Sequence, residues 1–189
     1  MMTSTEHIED ILTLSPMQQG MLYHQLLAPG SGTYLEQSSW TLTGSLDVPA
    51  FQRAWQHILD LHMSLRAAFL WEGLDEPVQV IYRDLELPFC YEDWSDTTGD
   101  EALAARLDAF LRADRQRDFD LASAPLMRLA LIRLSADKHI FVWTHHHLLL
   151  DGWSQPVLLG DFLAIYQGLV QNQPAPAASS GAKERPAVP

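Results

Sequence analysis

The chain has 189 residues, of which 47% are hydrophobic, and it carries a formal net charge of -12 at pH 7. This composition is typical of a globular domain with a substantial core and argues against a disordered chain. The acidic charge argues against nucleic acid or an anionic membrane as partner, because both are bound through clusters of Lys and Arg. No apolar run is long enough to span a bilayer, and the polar N-terminus predicts no secretory signal.

The chain has one cysteine, Cys90, so no disulfide can form within it and we expect a cytosolic protein. Cys90 lies between Phe89 and Tyr91, and we interpret it as a core residue rather than a nucleophile. No internal repeat is visible, so the length fits a single domain.

We interpret residues 1–13 as a lead-in segment. Ser15 before Pro16 then predicts the start of a helix with Ser15 as its N-cap, and the Pro-Gly segment 29–32 predicts its end. The predicted apolar face of this helix consists of Met17, Met21, Leu22 and Leu26. Residues 34–42 are rich in aromatic and β-branched side chains and predict a strand.

The middle of the chain predicts a helix, paired strands and a second helix. Asp47 is the expected N-cap of a helix whose apolar residues recur at helical spacing up to residue 59. Residues 65–71 and 78–82 predict two strands joined by the turn at 73–77, and residues 88–91 predict a further strand. A helix is expected over residues 100–114.

The last third predicts a hairpin followed by a helix. An irregular loop over 119–125 precedes two strands, 126–134 and 139–144, joined by the turn at 135–138. Apolar residues between 158 and 169 mark the last helix, and residues from 171 onward are rich in Pro, Ala, Ser and Gly. Helices mixed with paired strands predict an α/β sandwich of one sheet with helices packed against it.

The most distinctive stretch is residues 145–154, which read HHHLLLDGWS between a predicted strand and the last helix. Histidine exchanges protons near neutral pH, so we expect a proton-handling ring at the mouth of the sheet, with Asp151 fixing the loop or the ring. A metal site built from His145, His147 and Asp151 is chemically possible. We disfavour it because adjacent histidines on a strand point to opposite faces and no other ligand cluster stands out.

The first and last residues of this stretch are expected to be structural. His145 is expected on the strand surface. Ser154 is expected to be a helix N-cap rather than a nucleophile, because the GxSxG setting of a nucleophilic serine is missing.

Four stretches, in order along the chain, resemble condensation domains of nonribosomal peptide synthetases. Residues 146–152 match the HHxxxDG signature of that family, which alone would also fit other acyltransferases of the same superfamily. Residues 14–24 (LSPMQQGMLYH) resemble the first core motif and residues 62–69 (HMSLRAAF) the second, RHxxLRTxF. Residues 119–128 resemble the family as well. Two departures, Leu61 in place of Arg and Ala67 in place of Thr, remove no group assigned to chemistry.

The resemblance implies a chloramphenicol-acetyltransferase-like (CAT-like) α/β lobe, with a mixed β-sheet and helices packed against it. In the family two such lobes enclose the active-site tunnel, and the matches here cover only the first. We therefore expect residues 1–170 to form an N-terminal lobe and residues 171–189 a Pro/Ala-rich linker or disordered tail. The form of the first motif and of HHHLLLDGWS resembles the subtype that follows epimerisation domains, which joins a donor ending in a D-residue to an L-amino acid acceptor.

The implied reaction is amide formation in the biosynthesis of antibiotics and other secondary metabolites. Donor thioester and acceptor amine are carried on the phosphopantetheine arms of peptidyl carrier proteins, and no bound cofactor or metal is implied. His147 is by resemblance the catalytic histidine, either as a base or as a stabiliser of the tetrahedral intermediate. The same resemblance makes His146 a structural, hydrogen-bonded ring. Gly152 would permit the turn and place its amide near the oxyanion.

The resemblance also implies a structural ion pair between Asp151 and Arg66, which would position His147 by tying the motif loop to the second-motif strand. We expect the exposed tunnel face to bind the C-terminal lobe or a second copy of the chain, and the lobe alone to have little or no activity. Two alternatives stay open. One is a non-catalytic half-domain that docks a carrier protein or a complementary lobe, and the other is a CAT-like acyltransferase that uses acyl-CoA.

Overall fold

The computed structural model describes residues 7–172, which form seven strands and four α-helices. The strands are β1 (Ile8–Thr13), β2 (Leu35–Thr43), β3 (Ala67–Leu70), β4 (Val78–Tyr82), β5 (Phe89–Asp93), β6 (Met127–Ser135) and β7 (Lys138–His146). The helices are α1 (Pro16–Leu27), α2 (Val48–Leu61), α3 (Asp100–Arg115) and α4 (Ser154–Val170), and a 3-10 turn over Met63–Arg66 precedes β3. The predicted tail beyond residue 172 lies outside the described residues.

The strands form two sheets. A four-stranded sheet has the order β2-β7-β6-β5, in which β5 runs parallel to β6 and the other pairs are antiparallel. A three-stranded antiparallel sheet has the order β1-β4-β3. The α/β class with a mixed sheet is confirmed, but the expectation of a single sheet is wrong. The interpretation of residues 1–13 as a lead-in is also wrong for residues 8–13, because pairing with β4 makes this short, irregularly patterned segment a strand.

Two of the three predicted helix caps, Ser15 and Asp47, are confirmed. The Ser15 hydroxyl accepts a hydrogen bond from the Gln18 N–H, and the Gln18 side-chain oxygen accepts one from the Ser15 N–H, which is a capping box. Asp47 accepts from the Ala50 N–H at 2.9 Å. The predicted apolar face of α1 is only partly correct, because Met17 is 74% exposed. The helix buries the narrow stripe of Met21, Leu22 and Gln25 and leaves Leu26 exposed.

The main core lies between one face of the four-stranded sheet and helices α2 and α4. Trp55 of α2 lies 5.2 Å from Trp143 of β7 and 4.8 Å from Phe162 of α4 between ring centroids. A smaller cluster on the opposite face contains Ile140 and Val142 and packs against α3. Strand β7 is therefore internal and covered on both faces, and it delivers the motif loop at its C-terminal end.

Cys90 is exposed, so its interpretation as a core residue is wrong. Strand β5, which carries it, is the edge of the four-stranded sheet. Burial nevertheless raises the pKa of the thiol, with a further contribution from the charge of Glu92. Within residues 7–172 no helix has the length and hydropathy needed to cross a bilayer.

Candidate active site

The motif loop leaves β7 directly at His147, and backbone hydrogen bonds fix its course. The His147 N–H donates to the Tyr34 carbonyl at 2.8 Å, and the Leu149 N–H donates to the His146 carbonyl at 3.1 Å. These contacts close a tight turn over residues 147–149. His147 itself is only partly buried, whereas both histidines before it are 1% exposed.

His146 is a buried ring that is neutral at physiological pH. Its Nδ1 lies 3.1 Å from the Leu148 N–H and accepts a hydrogen bond from it, so the ring proton is on Nε2. The Nε2 atom is buried and has no hydrogen-bond partner among residues 7–172. Burial lowers the pKa of His146 to about 4, against the opposing effect of the Asp118 charge.

His145 is also buried, so its expected place on the strand surface is wrong. Its ring packs against Trp143 with 4.9 Å between centroids, and its Nε2 lies 3.4 Å from the side-chain amide of Gln155 on α4. Its Nδ1 is buried without a partner in the described part of the chain. Burial, followed by the proximity of His147 and His146, lowers its pKa to about 4. The prediction failed because α4 lies over this end of the strand and places Gln155 beside the His145 ring.

The predicted ion pair between Asp151 and Arg66 is not formed. Arg66 pairs with Glu9 of β1 and donates to the Tyr82 carbonyl of β4 at 2.6 Å. The hydrogen bond from Arg66, together with its charge, holds the pKa of Glu9 below its usual value although burial opposes this. The prediction was wrong because β1, missed in the sequence, places the half-buried carboxylate of Glu9 beside the guanidinium.

Asp151 instead organises the start of α4. Its Oδ1 accepts hydrogen bonds from the Ser154 hydroxyl at 2.6 Å, the Ser154 N–H at 2.9 Å and the Trp153 N–H at 3.1 Å. The Ser154 hydroxyl and N–H hold the pKa of Asp151 below its ordinary value. Ser154 is the first residue of the helix, so its predicted role as N-cap is wrong.

Gly152 is exposed between these residues. It does not have a positive φ, and a Cβ built on it would meet no atom within 4 Å. Neither backbone conformation nor crowding within residues 7–172 therefore requires glycine for the turn. Its closeness to substrate stays a prediction.

A different contact joins the second motif to α4. His62, at the end of α2, places Nε2 3.0 Å from Oδ2 of Asp161 on α4. A shallow cleft of about 270 Å³ opens next to this pair. It is lined by His62, Ser64, Leu150, Asp151, Trp153, Ser154, Val157 and Leu158. His147 is not among the residues that line this cleft.

A fully satisfied polar cluster lies behind the same strand, around Asp114 of α3. Its carboxylate accepts from Arg128 of β6 at 2.6 Å, from the Thr144 hydroxyl of β7 at 2.6 Å and from the Gln37 amide of β2 at 2.8 Å. Although burial opposes ionisation, the hydrogen bonds from Arg128 and Thr144 hold the pKa of Asp114 below its usual value. Sequence reasoning missed this cluster because its members are far apart along the chain, and only Arg128 belonged to a recognised stretch.

Within residues 7–172 no group of three or more His, Cys, Asp or Glu side chains could hold a metal ion. In the stretch that raised the metal hypothesis, the His145 Nε2 is directed at Gln155 and the Asp151 Oδ1 at the start of α4. The arrangement supports proton handling or polar stabilisation at a partly exposed imidazole rather than metal coordination.

By its fold, the chain is an α/β protein of the CAT-like class. It superposes with a TM-score of 0.79 on a variant of the starter condensation domain of rhizomide synthetase, at 22% identity over 89% of this chain and 40% of that one. The first condensation domain of the calcium-dependent antibiotic synthetase, solved with a substrate analogue, matches with a TM-score of 0.79 and 22% identity, covering 90% of this chain and 40% of that one.

The family follows from sequence. The family model described as "Condensation domain" matches residues 8–181, so the chain belongs to the condensation-domain family and the predicted resemblance is confirmed. A linear gramicidin synthase of Brevibacillus parabrevis is 45% identical over 169 residues, covering 88% of this chain and 3% of that protein. A plipastatin synthase of Bacillus subtilis (strain 168) is 38% identical over 181 residues, covering 95% and 7%. The chain thus spans a small fraction of the length of these relatives.

Proposed function

We propose that this chain serves nonribosomal peptide synthesis as the N-terminal lobe of a condensation domain, with His147 as its catalytic histidine. The donor is an acyl or peptidyl thioester and the acceptor an aminoacyl amine, both held on phosphopantetheine arms of peptidyl carrier proteins. One observation carries the proposal: in a chain of this family, His147 is the accessible histidine of the HHxxxDG loop, while His145 and His146 are 1% exposed.

The reaction requires few groups from the protein. The acceptor nitrogen attacks the thioester carbon, a C–N bond forms, the C–S bond breaks, and the amine proton has to leave the nitrogen. His147 is suited to accept that proton or to stabilise the intermediate, because its backbone N–H is held by the Tyr34 carbonyl and the residue is only partly buried. The neutral ring of His146 adds no positive charge beside it.

The second lobe belongs to the proposal because this chain covers only 40% of a solved condensation domain. Beside the motif loop, Trp153 is 88% exposed and Val157 is 59% exposed. Exposed apolar groups of this size are unfavourable in water, so we propose that the C-terminal lobe covers them and completes the tunnel. Self-association through the same patch is the competing outcome, and sedimentation of the chain with and without the second lobe distinguishes the two.

The test is a reconstitution with donor and acceptor carrier proteins, both loaded, and a polypeptide of the second lobe. Mass spectrometry of the acceptor arm measures the product. We expect product with the wild-type chain, a large loss with His147→Ala, and no loss with His7→Ala, whose side chain is 60% exposed at the edge of the fold. Equal activity of His147→Ala and wild type would refute the assignment.

The same assay separates the alternatives. Carrier-protein binding without product, unchanged by His147→Ala, would identify a docking module. Thiol release from acyl-CoA would identify an acyltransferase of the coenzyme-A type. Donors ending in a D- or an L-residue test the proposed subtype, for which we expect faster turnover of the D-donor.

A further inference from the structure

We propose that Gln18, in the first motif on α1, is a positioning residue that holds the loop carrying His147; this inference rests on the function proposed for His147. The two ends of its side-chain amide serve different neighbours. The Oε1 atom accepts from the Ser15 N–H at 2.9 Å and completes the capping box of α1. The Nε2 atom donates to the carbonyl of Leu148 at 3.2 Å, across the interval from α1 to the motif loop.

The surrounding hydrogen bonds determine which end of the amide is which. Nε2 also lies 3.5 Å from Oε1 of Gln79, whose own amide nitrogen donates to the Thr13 carbonyl at 3.3 Å. In the reversed orientation the Gln18 oxygen would face two oxygen acceptors, and its NH₂ group would face the Ser15 N–H. Only the observed orientation satisfies all of these groups.

The contact reaches the residue that follows His147. The Leu148 N–H donates to His146 Nδ1, and the Leu148 carbonyl accepts from Gln18. The His147 N–H donates to the Tyr34 carbonyl. Backbone groups on both sides of the His147 Cα are therefore fixed. The hydrogen bond from Gln18 ties Leu148 to α1, and loss of the Nε2 donor would leave the Leu148 carbonyl without this side-chain partner.

A second contact from the same helix supports this arrangement. His24 Nδ1 lies 2.8 Å from the hydroxyl of Tyr34, the residue whose carbonyl binds the His147 N–H. Helix α1 thus makes two contacts near His147, one to the backbone carbonyl of Leu148 and one to the side chain of Tyr34. The ion pair expected to do this between Asp151 and Arg66 is not formed, so α1 takes the positioning role.

Because the oxygen and the nitrogen of the Gln18 amide contact different groups, the two contacts can be removed separately. Gln18→Glu keeps an oxygen that can accept from Ser15, but it removes the donor and places a carboxylate opposite the Leu148 carbonyl. Gln18→Ala removes both contacts. Gln19→Ala is the matched control, because the Gln19 amide donates only locally, to the Leu14 carbonyl at 3.4 Å, and lies one position further along the same helix.

The measurements are made on the 189-residue chain by NMR and urea unfolding. For Gln18→Glu we expect an unfolding midpoint close to wild type, because the cap is retained. Exchange of the Leu149 amide and the amides beside it should accelerate about three- to tenfold, as expected for loss of one hydrogen bond. The imidazole resonances of His147 should also shift, whereas Gln19→Ala should change neither the amide exchange nor these resonances.

In the reconstituted assay we expect Gln18→Glu to lower kcat by roughly 10- to 100-fold with little change in KM, because a misplaced group weakens the reaction more than binding. The inference would be overturned if Gln18→Glu left the amide exchange rates and the His147 resonances as they are in the wild type. It would also be overturned if Gln19→Ala changed them as much as Gln18→Glu does. If these signals respond but the wild type forms no product, the proposed function fails while the contact between Gln18 and the loop stands.

Discussion

Strand β7 carries two buried polar regions that are treated in opposite ways. At Thr144 it joins the Asp114 cluster, in which the carboxylate has partners on β2, β6 and β7. One residue later begins the histidine end, where His145 and His146 each bury a ring nitrogen that has no partner within residues 7–172. Both regions are largely buried, yet in one the charge of the carboxylate is compensated, and in the other each neutral ring keeps one nitrogen without a partner.

The difference indicates what each region is for. A buried carboxylate with a cation and two neutral donors locks α3 onto the sheet, because its charge is compensated where it lies. Unpaired buried nitrogens lower stability, and natural proteins accept them where function requires a particular residue. The histidine end leads directly into the loop that carries His147, which is where such a cost is expected.

The largest effect should come from breaking the satisfied region. Arg128→Met leaves the Asp114 carboxylate buried beside two neutral donors and should lower the free energy of unfolding by roughly 3–5 kcal/mol, measured by urea unfolding. Arg133→Met is the control on the same strand, because its pair with Asp93 at 3.0 Å is about 40% exposed and its loss should change the free energy of unfolding far less. Similar losses for the two variants would contradict the comparison.

Acid should weaken the histidine end. The folded-state pKa of His145 and His146 is about 4, below the ordinary value of 6.5, so the unfolded chain binds protons first as the pH falls. The contribution of these two rings to the free energy of unfolding should therefore be fully present above pH 6.5. It should decline as the pH falls to about 4 and change no further below that. The loss is at most roughly 3 kcal/mol per ring.

The variant His145→Phe tests that assignment. It keeps a ring against Trp143, so it should flatten the decline measured by unfolding at a series of pH values. His7→Gln, at a side chain 60% exposed, should leave the slope unchanged. A slope that is the same in all three proteins would show that the buried rings do not titrate as described.

A smaller effect tests the revised partner of Arg66. A double-mutant cycle between Glu9→Gln and Arg66→Met should give a coupling of roughly 1–2 kcal/mol, reduced from the value of a fully buried pair because the Glu9 side chain is 29% exposed. The parallel cycle between Arg66→Met and Asp151→Asn should give about zero. A larger coupling in the second cycle would show that Asp151, rather than Glu9, is the partner of Arg66.

The smallest effect is expected at the contact between His62 and Asp161. Both side chains are partly exposed, so Asp161→Asn should change the free energy of unfolding by about 0–1 kcal/mol. Asp60→Asn is the control at an exposed helical carboxylate that accepts from Gln56. If Asp161→Asn, but not Asp60→Asn, lowered the free energy of unfolding by well above ~1 kcal/mol, this contact would be a strongly stabilising one like the cluster around Asp114.

Local features of the fold were predictable because they depend on neighbouring residues. The caps at Ser15 and Asp47 use hydrogen bonds within three residues, and the hairpin of β6 and β7 depends on a short turn. Strand β1 was missed because its partner is β4, about 70 residues further on, and its own pattern is weak. Cys90 was wrongly predicted to be buried, because apolar neighbours in the sequence do not show whether a strand lies at the edge of a sheet.

The site divides in the same way. The sequence alone determined that the HHxxxDG residues lie where a strand passes through a loop into a helix in a condensation-type α/β fold, because this order of residue types and the motifs before it are local signals. Only the tertiary structure decided that Arg66 pairs with Glu9, that His145 is buried, and that Gln18 holds the Leu148 carbonyl. Each of these depends on which distant segment fills a given position, and a polar group binds whichever partner the packed chain places within reach.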